Sequence, residues 1–263
     1  KLSSNQINKQ IDVLNNAFGG NYNSNAKDSK IRFRVKETQY VNNANYYSNC
    51  KGTDLTIGNT YRGDTKNYIT IYTCNSDYLG WAYYPWSWVE GSPNQVIFIN
   101  ANSFPYGSYN VYNKGYTAVH EVGHFFGLAH TFSSTGDCSS NGDDGISDTP
   151  LEKSPSYGCD YNRDTCPNNY GKDPVWSFMD YSYDYCFNRF SNGQIDKMLY
   201  VIDNYRPHLK TKSINNYNPT RYPTPYPTKY PTPYPTKYPT NLATNFPSTS
   251  PTIFPSTSPT IFP

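Results

Sequence analysis

The segment HEVGHFFGLAH, residues 120–130, constrains this chain more than any other stretch, because it holds three of the four histidines in the sequence. On a helix each residue turns the chain by about 100°, so His120 and His124 project from one face, one turn apart. Two imidazoles at that spacing can share one zinc ion. If the helix ran on, His130 would stand about 9 Å further along the axis than His124. The chain must therefore leave the helix and turn back. Gly127 is the residue that can do this, since it reaches positive φ without a Cβ clash. Three neutral nitrogens leave a fourth tetrahedral position open, the mark of a catalytic rather than a structural zinc site. Glu121, next to the first histidine, can reach that position and take a proton from zinc-bound water, which the metal has already made acidic.

The rest of residues 1–212 reads as a globular α+β domain. SSNQINKQIDVLNNAF (3–18) sets Ile7, Ile11, Val13, Leu14 and Phe18 mostly on one helical face, with Ser3 or Ser4 as N-cap. IRFRVKETQY (31–40) alternates Ile31, Phe33 and Val35 with Arg32, Arg34 and Lys36, the pattern of a half-buried strand. NYITIYTC (67–74) and QVIFIN (95–100) are further strands, and residues 115–127 form the helix that carries the histidines. A long stretch rich in Gly, Asp, Pro and Cys follows. The segment 191–206 closes the domain as a second long helix, capped by Ser191 and stopped by Pro207.

Residues 213–263 are different. They hold 13 of the 21 prolines and repeat Tyr-Pro-Thr and Phe-Pro-Ser-Thr units with a period of eight. Proline that often fixes φ and removes donors, so an extended, disordered polyproline II spacer is expected, similar to an O-glycosylated stalk. It has no histidine or acidic side chain and so cannot supply a ligand or a base. The formal charge of +2 is too small to mark a nucleic-acid binder, and no apolar run is long enough to cross a bilayer. Six cysteines without a Cys-x-x-Cys spacing suggest disulfides and an oxidising compartment. There is no signal-peptide pattern at the start, so any secretion signal is expected upstream of Lys1.

The pattern H-E-x-x-H-x-x-G-x-x-H resembles the metzincin zinc metalloproteases. YLGWAYYP (78–85), GYTAVHEVGHFFGLAHTF (115–132), GISDTP (145–150), NRDTC (162–166), FMDYSYDYC (178–186) and FNRFSNGQIDKM (187–198) are similar to the pappalysin family, in its secreted single-domain form. The resemblance covers residues 3–206 and implies an upper α/β subdomain, a lower irregular, disulfide-bridged subdomain, and zinc between them on His120, His124 and His130. It places Met179 in the turn beneath the zinc and gives Tyr181 the role of stabilising the tetrahedral intermediate, for which a phenol donor is suited. It makes YLGWAYYP the edge strand to which a substrate peptide adds. It pairs Cys138 with Cys166 and Cys159 with Cys186, and Cys50 and Cys74 form the remaining bridge. Asp144, Asp148 and Thr149 resemble a loop that holds calcium in some relatives. An acidic solvated turn has the same composition, and the order Gly142, Asp143, Asp144 departs slightly from the family's.

The implied function is a secreted, monomeric zinc endopeptidase that hydrolyses peptide bonds of protein or peptide substrates by Glu121-assisted attack of zinc-bound water. The competing reading is a catalytically inactive cell-surface or wall-associated binding module on a proline-rich stalk, against which the intact Glu121 counts. A different metzincin of the astacin type fits the DTP segment and the four-cysteine lower half less well. In the chain after Met179, Asp184 favours a basic substrate side chain if it points inward, and Tyr183 or Tyr185 fills that pocket otherwise.

Overall fold

Ser3 begins the first helix, α1 (Ser4–Phe18), by accepting the Gln6 backbone N–H at 3.2 Å while the Gln6 side chain accepts from Ser3 N at 3.1 Å. The computed structural model describes residues 1–210 apart from 62 and 141, together with residues 260–262. After α1 come α2 (Ala44–Ser48), α3 (Cys50–Thr60), β1 (Thr70–Cys74), β2 (Gly80–Ala82), β3 (Val96–Asn100), α4 (Tyr116–Phe125), α5 (Asn192–Tyr205) and β4 (Thr260–Phe262). The result is the expected mix of helix and sheet.

The strands form one sheet in the order β1-β3-β2-β4. β3 pairs in parallel with β1 and antiparallel with β2, and β4 lies antiparallel on the outer edge of β2. β3 reads Val-Ile-Phe-Ile-Asn without alternation because it is buried on both faces. On one face, Ile97, Ile99, Leu79 and Ala82 join Leu14 and Phe18 of α1 and Val119, Val122 and Phe125 of α4 in the main core. On the other face Trp81 stacks on Phe98 at 4.7 Å and Phe98 on Tyr72 at 5.1 Å. This second cluster is closed by Ile57 of α3 and by the Cys50–Cys74 disulfide, whose Cα atoms are 6.3 Å apart.

Residues 31–40, expected as a strand, form none. Their backbone groups bond to side chains instead of to a ladder: Asn15 of α1 accepts from Phe33 N at 2.7 Å and donates to Phe33 O at 3.0 Å, and Ser29 Oγ accepts from Ile31 N at 3.1 Å. The alternation still has a physical meaning, since Phe33 packs edge-on against Phe18 at 5.0 Å. It ends at Val35, which is 42 % exposed.

The lower half, between α4 and α5, is turns and two isolated bridges, Phe132 with Glu152 and Ser177 with Arg189. Cys138 is bonded to Cys166 and Cys159 to Cys186, with Cα separations of 5.6 and 5.4 Å. Arg163 ties the loops together. It pairs with the buried Glu152 at 2.7 Å and with the buried Asp173, and its other nitrogen donates to Ser154 O at 2.8 Å. α5 then runs back to the core, where Met198 and Ile202 are buried. The spacer expected over 213–263 lies outside the described residues except for Thr260–Phe262, which form β4 rather than polyproline II. A proline-flanked segment is tolerated there because β4 is the outermost strand.

Ser191 caps α5 as Ser3 caps α1, accepting from Gln194 N at 3.1 Å, and it also donates to Asp148 Oδ1 at 2.7 Å. Ser3→Ala is expected to lower stability by about 1 kcal/mol, and Ser191→Ala by more, because Asp148 loses a donor as well. Urea midpoints of the two variants check this; an equal or smaller cost at Ser191 would show that the Asp148 bond adds nothing.

Candidate active site

α4 is buried along its whole length between the sheet and the lower half. It ends in a Schellman motif: Leu128 N–H donates to Gly123 O at 3.0 Å and Gly127 N–H to His124 O at 2.8 Å, with Gly127 at φ 86°. The reversal brings His130 back to the helix. His124 Nε2 stands 2.8 Å from His120 Nε2 and 3.1 Å from His130 Nε2. The outward nitrogens of the two helical histidines face carbonyls, His120 Nδ1 to Phe178 O at 2.6 Å and His124 Nδ1 to Leu128 O at 2.7 Å. Each Nδ1 therefore carries its proton and each Nε2 presents a bare lone pair. Burial pushes all three imidazoles toward the neutral form, His124 down to about 3. Lone pairs aimed at one another in a dry site repel unless a cation stands among them, so the donor set fits zinc. Among the described residues these three are the one group of three or more His, Cys, Asp or Glu close enough to hold an ion. His208, the fourth histidine, is elsewhere, 2.7 Å from Glu90.

Glu121 is fully buried, and neither of its carboxylate oxygens has a hydrogen-bond partner. Burial holds its carboxyl well above the usual range, opposed by the charge of Lys51. The β2 edge comes directly against it. A Cβ on Gly80 would lie 2.9 Å from Glu121 Cγ and 3.1 Å from Oε1, so only glycine leaves the carboxylate its place.

Met179 occupies a turn closed by Asp180 N–H donating to Ser177 O at 3.1 Å. Its neighbour Phe178 supplies the carbonyl that holds His120. Its sulfur sits where a side chain on Gly123 would stand, 2.5 Å from an ideal Cβ there. The turn thus packs directly against α4 at Gly123. Tyr181, two residues on, is buried with its ring 4.7 Å from the His130 ring and 5.9 Å from the His120 ring. Asp184 points inward. Its Oδ2 accepts from Lys114 N at 2.7 Å, before the start of α4, and its Oδ1 is buried without a partner. Burial raises its carboxyl to about 7. Tyr183 packs edge-on to Tyr112 at 5.6 Å, while Tyr185 is 56 % exposed and fills no pocket.

The structure brings Asp144 and Thr149 together but directs Asp148 elsewhere. Thr149 Oγ1 donates to Asp144 Oδ2 at 3.0 Å, Ile146 N donates to Asp144 Oδ1 at 3.0 Å, and the buried Lys197 donates to Asp144 O at 3.0 Å. Asp148 accepts from Ser191 Oγ and, at 2.9 Å, from Gly193 N, at the start of α5. The positive charge of this loop is supplied by Lys197.

Gly80 and Gly123 are the site residues that sequence reasoning missed. Their one signal is position: each glycine stands inside a strand or a helix, where it weakens the element unless a close approach requires it.

A buried HExxH helix, a third histidine returned by glycine and a methionine turn below define a metzincin-type zinc metalloprotease. The chain belongs to the pappalysin family: the family model described as Pregnancy-associated plasma protein-A matches residues 53–203. It is 37 % identical over 211 residues to an extracellular metalloprotease of Sordaria macrospora, covering 78 % of this chain and 69 % of that one. An extracellular metalloprotease of Colletotrichum graminicola is 39 % identical over 201 residues, with coverage of 75 % and 68 %. Among solved structures, mirolysin in complex with a small compound superposes with a TM-score of 0.69 at 28 % identity, covering 79 % of this chain and 89 % of that one. Mature mirolysin of Tannerella forsythia with a cleaved peptide gives 0.65, also at 28 % identity, with coverage of 79 % and 88 %. The chain is accordingly a zinc-dependent protease, its substrates are peptides, and no helix of the described residues is long and apolar enough to span a membrane.

Two glycine substitutions separate metal seat from base. Gly123→Ala is expected to displace Met179 and cost about 1–3 kcal/mol, with weaker zinc retention on dialysis against a chelator. Gly80→Ala is expected to keep zinc but to lower peptide cleavage about 100-fold by pushing Glu121 aside. Zinc loss in Gly80→Ala would place the defect at the metal instead.

Proposed function

We propose that the chain is a secreted zinc endopeptidase in which Glu121 is the general base. The observation that carries this reading is the Glu121 carboxylate, buried with both oxygens unpartnered beside three converging histidine nitrogens. Zinc held by His120, His124 and His130 would supply Lewis acidity toward the scissile carbonyl and acidify the attacking water. Glu121 accepts that water's proton and returns it to the leaving amine. The Tyr181 hydroxyl donates to the oxygen on which negative charge develops. The substrate main chain lies along the outer edge of β2, an edge that already accepts the antiparallel strand β4.

Peptide hydrolysis is supported by the cleaved peptide that mirolysin holds. Secretion is supported by three disulfides and by relatives described as extracellular. The catalytic unit is taken as residues 1–212, acting as a monomer, with 213–263 as a spacer that links it to a cell surface or wall. Asp144 and Thr149 stand together as a loop that could take calcium, with Lys197 donating to the Asp144 backbone carbonyl.

Glu121→Gln keeps the size of the side chain and removes the proton acceptor. Zinc content is expected to stay at the parent level while peptide cleavage falls by about 10²–10⁴-fold. Cleavage at the parent rate would mean that another group is the base, and a zinc-loaded parent that cleaves nothing would favour the inactive binding module. Truncation after Lys212 removes β4 and frees the edge of β2. KM for a long peptide is then expected to fall with zinc unchanged; a raised KM would show that the tail helps to build the cleft.

A further inference from the structure

The strand β2 is only three residues long, and among the described residues its outer side pairs with β4 alone. Its register with β3 ends at Ala82. Beyond that point Gln95 Nε2 donates to Pro85 O at 3.3 Å and Tyr84 stacks on Trp86, and a side chain from the opposite face of the sheet grips the strand itself. Asp54 of α3 is buried, and its Oδ2 accepts from Trp81 Nε1 at 3.2 Å and from the Tyr83 hydroxyl at 2.8 Å. Its other oxygen, Oδ1, accepts from Leu55 N at 3.0 Å, so both oxygens are in use. Lys51, one turn earlier on α3, stands over the Trp81 ring at 5.0 Å and supplies the countercharge. Burial pulls the Lys51 ammonium down to about 8, and Asp54 opposes that shift. α3 is itself a fixed base. The Cys50–Cys74 bridge ties it to β1, and Gly58 lets it approach so closely that a Cβ there would be 2.6 Å from Pro93 O.

We infer that Asp54 is a positioning residue for substrate: by gripping Trp81 and Tyr83 it sets where the β2 edge, and therefore a peptide paired with it, stands relative to Glu121. The inference rests on the proposed use of that edge by substrate. Gly80 shows how little slack exists, because the same three-residue strand touches Asp54 through its outer face and Glu121 through its inner one. A displacement of about 1 Å at such a site costs on the order of 100-fold in rate. The acceptor is a buried carboxylate oxygen shared by two donors, so one side chain holds both Trp81 and Tyr83.

Asp54→Asn tests this without a change of size. Asparagine has one acceptor oxygen where the carboxylate has two, so either Leu55 N or the Trp81–Tyr83 pair loses its partner. Tyr83→Phe removes the shorter bond alone and keeps the ring. A decapeptide that runs along β2 and a tetrapeptide with the same scissile residues are compared in the zinc-loaded full chain. In both variants kcat/KM for the decapeptide is expected to fall at least about ten-fold more than for the tetrapeptide, chiefly through KM. The double variant is expected to cost little more than Asp54→Asn alone, since both act on one bond. Decapeptide binding to the Glu121→Gln protein is expected to weaken about ten-fold when Asp54→Asn is added, with zinc content unchanged. Equal losses on the two peptides, additive losses in the double variant, or unaltered decapeptide binding would overturn the inference. Weakened binding in a protein whose parent hydrolyses nothing would leave Asp54 its role and refute the proposed hydrolysis.

Discussion

The packing of Met179 against Gly123 is the contact on which the rest of the site depends. A helix resting on a sulfur atom with no side chain between them fixes the distance between the upper and lower halves. The same turn offers the Phe178 carbonyl to His120 and the Met179 carbonyl to Thr131, so one short segment orients a ligand and anchors the chain that leaves α4. Both bonds orient the site without entering it. The His120 tautomer follows from the first of them, as that of His124 follows from the Leu128 carbonyl, because a Nδ1–H engaged with a carbonyl leaves Nε2 as the free donor of electrons.

The sheet constrains the same site from above. β3 is buried on both faces and fixes β2, and β2 in turn presents a glycine to Glu121. The carboxylate is therefore fully buried, with the Gly80 backbone directly against it. Its desolvation follows from a local packing requirement, the absence of a Cβ at Gly80, as much as from its depth in the molecule.

Much of this was legible in the sequence, for reasons that differ by element. α1 and α5 carry Ser-x-x-Gln capping boxes and long apolar stripes, which are local signals. The three histidines and Gly127 could be placed because helical spacing is rigid geometry. Residues 31–40 misled because alternation reports which side chains face the core, not what the backbone bonds to; here Asn15 takes the place of a neighbouring strand. α3, in the Gly- and Thr-rich CKGTDLTIGNT, has weak helix propensity and is held by Ile57, Asp54 and a disulfide, none of which shows as a periodic pattern. Gly80 and Asp54 matter through partners 41 and 27–29 positions away in the chain, and such pairings are invisible until the fold brings them together.

The two lower bridges overlap in sequence: Cys138–Cys166 begins first, and Cys159–Cys186 starts before it ends. A cut anywhere between Cys138 and Cys186 is therefore spanned by at least one sulfur link. A protease meets its own copies, which can nick it in this loop-rich half. Interlocked loops turn such a nick from a severing into a scar: the pieces stay joined, the turn at Met179 stays tethered to α4, and the molecule separates into fragments only when it is reduced.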